Sequence, residues 1–180
     1  TDHQPERRGE GAAHQVTELP KRVHPRLRGY DYSRSGVYFL TLCTQNRLPI
    51  LSEIVGRGIP DAPLVQLSET GRCVQDAMDY LAGHDAQIQI AASVIMPNHV
   101  HILLCVCGEG NGASGMPRPT GMRVPSFVSS LKRYTNRVCG RPLWQASYHD
   151  HIIRDENDLL NHWSYIEHNP ARWAEDEYHV

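Results

Sequence analysis

Two histidines, His99 and His101, sit one residue apart inside the most apolar run of the chain, Val94-Ile95-Met96-Pro97-Asn98-His99-Val100-His101-Ile102-Leu103-Leu104. Side chains alternate across a strand, so both imidazoles share one face while Val100, Ile102, Leu104 and Val106 line the other. Imidazole is the commonest protein metal ligand, and the pair makes half of a metal site. Cys105 and Cys107 share that face of an ideal strand, which raises a structural zinc site. Positions along one strand spread over more than ~20 Å at ~3.3 Å per residue, too far for one tetrahedral ion.

The other residues able to do chemistry lie near the C-terminal end. On a helix at about 100° per residue, Leu159, Leu160, Trp163 and Ile166 form an apolar stripe, the face expected to pack. Tyr165 falls on the far side, and Asn169 follows one turn later, so their side chains are neighbours. Tyr134, by contrast, lies on the apolar stripe of its own helix. A phenol is a covalent nucleophile once deprotonated, but its ordinary pKa near ~10 keeps it neutral at pH ~7. An exposed structural tyrosine accounts for the same placement. His162, within one turn of Tyr165, is an accessory candidate as a proton acceptor. His149 and His151 either contact nucleic acid, shape the site or are ordinary surface. Trp144 either stacks on a base or anchors packing.

The chain has 180 residues, 40% hydrophobic content and a formal net charge of −2. That suits one domain plus a tail. Five cysteines without a CxxC pair fit free thiols in a reducing cytoplasm. No apolar run reaches the ~18 residues that span a membrane, and the polar N-terminus has no signal-peptide core. Charge is uneven. From Gly110 to His149 there is no Asp or Glu, while Arg118, Arg123, Lys132, Arg133, Arg137 and Arg141 fall there. Acids collect later, at Asp155, Glu156, Asp158, Glu167, Glu175, Asp176 and Glu177. A purely basic block meets phosphates or is a solvated helix face.

The elements that must position these residues follow from pattern. Residues 1–29 are polar and basic and are expected to form a flexible tail or a nucleic-acid arm. Val37–Cys43 reads as a strand, and 46–63 as loop, with Gly56, Gly58, Pro60 and Pro63. Ser68 suits an N-cap of a helix running to about Leu81 and ended by Gly83. Residues 87–95 form a strand antiparallel to the histidine strand, and the Gly/Pro-rich stretch 108–125 a loop. A helix over 126–139 carries Phe127, Leu131, Tyr134 and Val138 as its stripe. A short strand near Tyr148–Ile153 and a helix from about Asp155 to Asn169-Pro170 complete the series. The order β-α-β-β-α-β is the ferredoxin-like, α+β arrangement, with an additional C-terminal helix carrying Tyr165.

Met96-Pro97-Asn98-His99-Val100-His101 resembles the HUH motif of the single-tyrosine HUH transposases. Leu143-Trp144-Gln145, Tyr148-His149-Asp150-His151-Ile152-Ile153-Arg154 and Tyr165-Ile166-Glu167-His168-Asn169-Pro170 are similar to the REP-associated tyrosine transposase branch of that family. So is Tyr38-Phe39-Leu40-Thr41 followed by Gln45-Asn46-Arg47, and the similarity runs from about Tyr30 to Trp173.

The resemblance implies a catalytic domain over 30–180 in which His99, His101 and Asn169 bind a divalent metal, Mg²⁺ or Mn²⁺, and Tyr165 is the nucleophile. It implies cleavage and rejoining of single-stranded DNA at palindromic hairpins through a 5′-phosphotyrosine, with a free 3′-OH. Given that family, Lys132, Arg133 and Arg137, with Arg123 and Trp144, are the expected DNA contacts, and His151 and His162 the accessory residues. The expected setting is the bacterial cytoplasm, at the nucleoid, as a monomer or homodimer. A non-catalytic hairpin-binding module on the same fold is the alternative. A metal-dependent hydrolase without DNA is a third and weaker one.

Overall fold

Ser35 to Gly56, Leu64 to Cys107 and Arg123 to His179 are described by a computed structural model of the protein. The tail, most of the 108–125 loop and the expectations attached to them lie outside these residues.

Alternating sequence builds the centre. Strand β1, Gly36–Cys43, pairs antiparallel with β5, His99–Val106, in a register that sets Thr41 opposite His101 and Cys43 opposite His99. β5 pairs with β4, Ile88–Ile95, and β1 pairs on its other edge with β6, His149–Ile152, both antiparallel. The sheet order β4-β5-β1-β6, with helices between β1 and β4 and between β5 and β6, is the expected ferredoxin-like topology. A bulge between Ile90 and Ala92 shifts the β4 register.

One face of this sheet is the core. Tyr38, Leu40 and Leu42 of β1 and Val100, Ile102, Leu104 and Val106 of β5 are buried there. Helices α1, Glu69–His84, and α2, Arg123–Val138, cover them with Val74, Ala77 and Met78, and with Val124, Phe127, Val128 and Leu131. Each such aliphatic side chain contributes about 1.5–3 kcal/mol by leaving water. Ser68 caps α1 as expected, its hydroxyl accepting from the Gly71 N–H at 3.0 Å. Gly71 is there because the backbone passes close by: a Cβ would run into the Leu51 carbonyl oxygen.

Four expectations need correction. Residues 46–63 are not all loop: β2, Ser52–Val55, pairs with β3, Leu64–Leu67, as a separate two-stranded sheet. Gly83 lies inside α1, which runs one residue further to His84. α2 begins at Arg123, with Pro125 in its first turn where no N–H is missed. Its buried stripe is Val124, Val128, Leu131 and Thr135, with Phe127, so Tyr134 and Val138 are exposed.

The fourth concerns α3, Glu156–His168, capped by Asp155 whose carboxylate accepts from the Asp158 N–H. α3 packs on the histidine face of the sheet through only one edge of its apolar stripe, Leu159 and Ile166. Leu160 and Trp163 are exposed, at 58% and 37%, and Ile166 is the buried residue of the helix. The side chains turned toward the sheet include His162 and Tyr165, because the surface they meet is itself imidazole and aromatic. None of the described helices is long and apolar enough to cross a membrane.

Candidate active site

The odd positions of β1 and β5 face α3. His99 and His101 are buried, with ring centroids 4.4 Å apart. His99 Nδ1 lies 2.9 Å from Asn98 Oδ1. The Asn98 amide nitrogen donates to the carbonyls of Tyr178, at 2.7 Å, and Arg47, at 3.3 Å. Its oxygen is therefore the acceptor, the His99 proton sits on Nδ1, and Nε2 presents a lone pair. His101 Nδ1 lies 2.9 Å from the Thr41 hydroxyl. Both Nε2 atoms are buried with no hydrogen-bond partner among the described residues, and so is Asn169 Oδ1. An orphaned buried polar atom costs about 1–3 kcal/mol, so a cluster of them points to a ligand.

Asp176 supplies a carboxylate. Ligand atoms of His99, His101 and Asp176 lie within 4.8 Å of one another. The Asn169 amide nitrogen donates to Asp176 Oδ2 at 2.8 Å, which holds the two side chains together. Burial lowers the His99 pKa to about 4, against the opposing pull of Asp176, and the Arg47 charge adds to the lowering. Burial, then the neighbouring His99 and His162, holds His101 well below the ordinary histidine range. Both imidazoles are thus neutral at pH ~7, the form that coordinates a metal. Two imidazole nitrogens and a carboxylate fit a divalent ion.

Tyr165 is half out of the surface, with its ring centroid 5.1 Å from that of His101 and 5.9 Å from Phe39. The tyrosine therefore reaches the histidines by lying on the packed side of α3, not opposite to it. Phe39 stacks on His101 at 5.0 Å, filling the floor between helix and sheet. Burial pushes the Tyr165 phenol up to about 12, Asp176 and Glu177 add to that, and a hydrogen bond with Asn169 works the other way. A cleft of about 470 Å³ opens on one side, lined by Phe39, His101, His151, His162, Tyr165 and Tyr178 among others. A second, of about 680 Å³, opens on the other, with Ser164, Tyr165, His168, Asn169, Arg172 and Asp176 in its wall.

Several site residues were not foreseen. After α3 a 3-10 segment, Pro170–Glu175, turns the chain back over the histidines. Tyr178 places its ring 4.7 Å from His99, and Trp173 lies 5.9 Å away. Arg47 stacks its guanidinium 5.3 Å from the Tyr178 ring and donates to the Glu177 carbonyl at 3.1 Å. Asn46 and Arg47 adopt positive φ, 56° and 54°, the tight turn that presents this arginine. No periodicity marks Arg47, Asp176 or Tyr178. Asn98 has a signal in its place beside His99, and Arg47 in the Gln45-Asn46-Arg47 string that resembles the family.

The expected DNA contacts lie away from the histidines. Lys132 spends its ammonium group on the carbonyls of Gln145, Ala146 and Ser147, at 2.7, 3.3 and 3.1 Å. Trp144 is 6% exposed and donates its Nε1–H to Thr135 at 2.8 Å, so it is a packing anchor with no open ring face for a base. Arg123 faces Asp85 at 3.8 Å. Arg133 and Arg137 are exposed, Arg137 over the Tyr134 ring at 5.6 Å. All lie on or beside α2, which covers the face of the sheet opposite the histidines. His162 joins the site through Phe39, at 4.6 Å, and His151 stacks on His162 at 4.6 Å.

No family model matches the chain. A protein of Haemophilus influenzae, named only as uncharacterized, is 28% identical over 86% of this chain and 91% of its own length. A second from that organism, named "Putative REP-associated tyrosine transposase", is 22% identical over 79% of this chain and 74% of its own. A solved structure of a REP-associated tyrosine transposase bound to a REP hairpin superposes with a TM-score of 0.59 at 19% identity, covering 84% of this chain and 76% of that one. The chain resembles REP-associated tyrosine transposases in sequence and in fold. That likeness fixes the α+β architecture; the chemistry is a matter for this chain's own residues.

Proposed function

We propose that this protein is a transposase-like, metal-dependent endonuclease and strand transferase that cuts and rejoins single-stranded DNA at palindromic hairpins. The observation that carries the proposal is the pair of buried, unpartnered nitrogens, His99 Nε2 and His101 Nε2, with the Asp176 carboxylate beside them and the Tyr165 ring 5.1 Å from that of His101. His99, His101 and Asn169 would hold the ion, with Asp176 as a further oxygen donor. The mixed nitrogen and oxygen set suits Mn²⁺ better than Mg²⁺, which prefers oxygens. A bound divalent ion would neutralise charge on the phosphoryl oxygens and favour the phenolate that burial otherwise opposes.

The residues of the chain supply the rest. The Tyr165 hydroxyl gives up its proton and its oxygen attacks phosphorus in line. A P–Oη bond forms, the P–O3′ bond breaks, and the departing oxygen takes a proton to become a free 3′-OH. The 5′ side stays on the protein as a phosphotyrosine. A 3′-OH attacking that phosphorus restores a phosphodiester and releases Tyr165, so no nucleotide energy is consumed. Asn169 orients the phenol, and Asn98 and Thr41 hold the imidazoles. Arg133 and Arg137 remain as backbone-phosphate contacts for the part of a hairpin reaching the α2 face. We place this activity in the bacterial cytoplasm, at the nucleoid, where such DNA would be met.

The test is a labelled single-stranded hairpin incubated with the protein and Mn²⁺, followed by denaturing electrophoresis. A slow-migrating, denaturation-resistant adduct is expected with the parent and is lost in Tyr165→Phe. An equal adduct in Tyr165→Phe removes the nucleophile assignment. Binding of the hairpin by both proteins without an adduct in either makes the chain a non-catalytic binding module.

A further inference from the structure

His151, Asp158 and His162 bring ligand atoms within 4.8 Å of one another at a place none of the preceding chemistry uses. His151 stands on edge strand β6, opposite Phe39 of β1. Asp158 and His162 are four residues apart on α3, the helical spacing that lets two side chains meet at one point. The cluster is held before anything binds. The Asp158 carboxylate accepts from the Arg154 N–H at 3.0 Å, and the Asp158 N–H is tied to Asp155 at 2.9 Å. His151 Nε2 lies 2.9 and 3.1 Å from the two carboxylate oxygens. His162 Nδ1 lies 3.1 Å from the carboxylate and 2.9 Å from the Asp158 carbonyl. The two rings stack at 18°, and Phe39 supports His162 from the other side.

The three side chains are partly exposed, at 42%, 20% and 23% for His151, Asp158 and His162. His151 and His162 line the cleft that also holds His101 and Tyr165. An ion here would keep positions open to water or to a phosphate in that cleft.

We propose that His151, Asp158 and His162 form a second divalent transition-metal site, distinct from the His99–His101 site. Two imidazoles and one carboxylate are the donor set of open sites with three protein ligands, which hold zinc or ferrous iron. Preset rotamers reduce the ordering cost of binding. Binding needs no net proton release from neutral imidazoles. The His151 hydrogen moves from Nε2 to Nδ1 and the His162 hydrogen from Nδ1 to Nε2, freeing the nitrogens that face the carboxylate. The competing account is an ion-free network in which both nitrogens keep their hydrogens and donate to Asp158. The inference does not depend on Tyr165 being a nucleophile.

Equilibrium dialysis of the full chain against Co²⁺, with visible absorbance of the bound ion, separates the two. The His-containing tail adds the same background to every variant, so the readout is the difference between variants. His151→Ala and His99→Ala are each expected to lose about one Co²⁺ per chain, and the double variant about two. His151→Gln can still donate to Asp158 and so keeps α3 in place, yet is expected to lose the same ion as His151→Ala. Thermal melts monitored by circular dichroism show which variants remain folded. Unchanged Co²⁺ stoichiometry in folded His151→Gln overturns the proposal, as does a double variant that loses no more than His99→Ala alone. The hairpin adduct is read separately, so loss of that activity with both ions retained refutes the strand-transfer chemistry and leaves this site standing.

Discussion

Replacing Asn98 separates what holds the metal-binding tautomer from what holds the fold. Asn98 is fully buried and uses both ends of its amide, the oxygen on His99 Nδ1 and the nitrogen on the Tyr178 and Arg47 carbonyls. Asn98→Ala strands the His99 N–H in a buried place and loosens two carbonyls. At about 1–3 kcal/mol for one orphaned buried group, with partial rehydration of the carbonyls, the loss is about 2–3 kcal/mol, or roughly 5–10 °C in Tm. Removing a partner that orients a ligating imidazole costs about 10–100-fold in metal affinity. Asn98→Asp divides these effects. Its carboxylate still accepts from Nδ1, so Nε2 stays available, but the donors to Tyr178 and Arg47 are gone. Differential scanning calorimetry and Mn²⁺ titration, on the same preparations, give both quantities. The expected pattern is two destabilised proteins, of which only Asn98→Ala binds Mn²⁺ about 10-fold or more weakly. Equal Mn²⁺ affinity in Asn98→Ala and the parent refutes the tautomer assignment.

Three further outcomes follow from positions described above. Metal-free protein should lose stability on acidification, because the folded pKa values of His99, about 4, and His101 lie below the unfolded value near ~6.5. The unfolded chain then binds protons that the folded one refuses, so stability is full above pH ~6.5 and falls through pH ~4, by about 3 kcal/mol for His99 alone. A urea midpoint that stays flat from pH ~7 to ~4.5 contradicts this. Trp144→Phe should cost about 1 kcal/mol for the lost bond to Thr135 and leave hairpin affinity unchanged in a gel-shift titration, whereas a base-stacking tryptophan would weaken it. Gly71→Ala should destabilise by about 3 kcal/mol or more in thermal melts, since the new Cβ meets the Leu51 backbone and not a yielding side chain.

What was legible in the sequence followed from local rules, and what was missed depended on surfaces those rules do not contain. The alternation of β5 places both histidines on one face, the Ser68 cap marks the start of α1, and the acids from Asp155 onward mark the start of α3. The β2–β3 hairpin escaped because its strands are only four residues long and the glycines and prolines around them read as loop. The packed face of α3 was misjudged because an apolar stripe predicts burial only against an apolar surface, and this helix meets Phe39, His101 and Tyr178 instead. The buried face of α2 is turned by roughly 45°, about half a residue, from the stripe that Phe127, Leu131, Tyr134 and Val138 mark, which leaves Tyr134 exposed. Asp176 and Tyr178 reach the histidines through a 3-10 turn of no sequence periodicity, so no pattern assigns them to the site.

β1 carries two messages interleaved at a period of two. Tyr38, Leu40 and Leu42 serve the core, while Phe39 and Thr41 serve the histidines. A point substitution on this strand changes the side chain on one face only. A change of length is another matter. Inserting or deleting one residue in this strand would exchange the two faces wholesale, sending leucines to the imidazoles and Thr41 into the interior. Within these eight positions a substitution alters one face, whereas a change of length exchanges both.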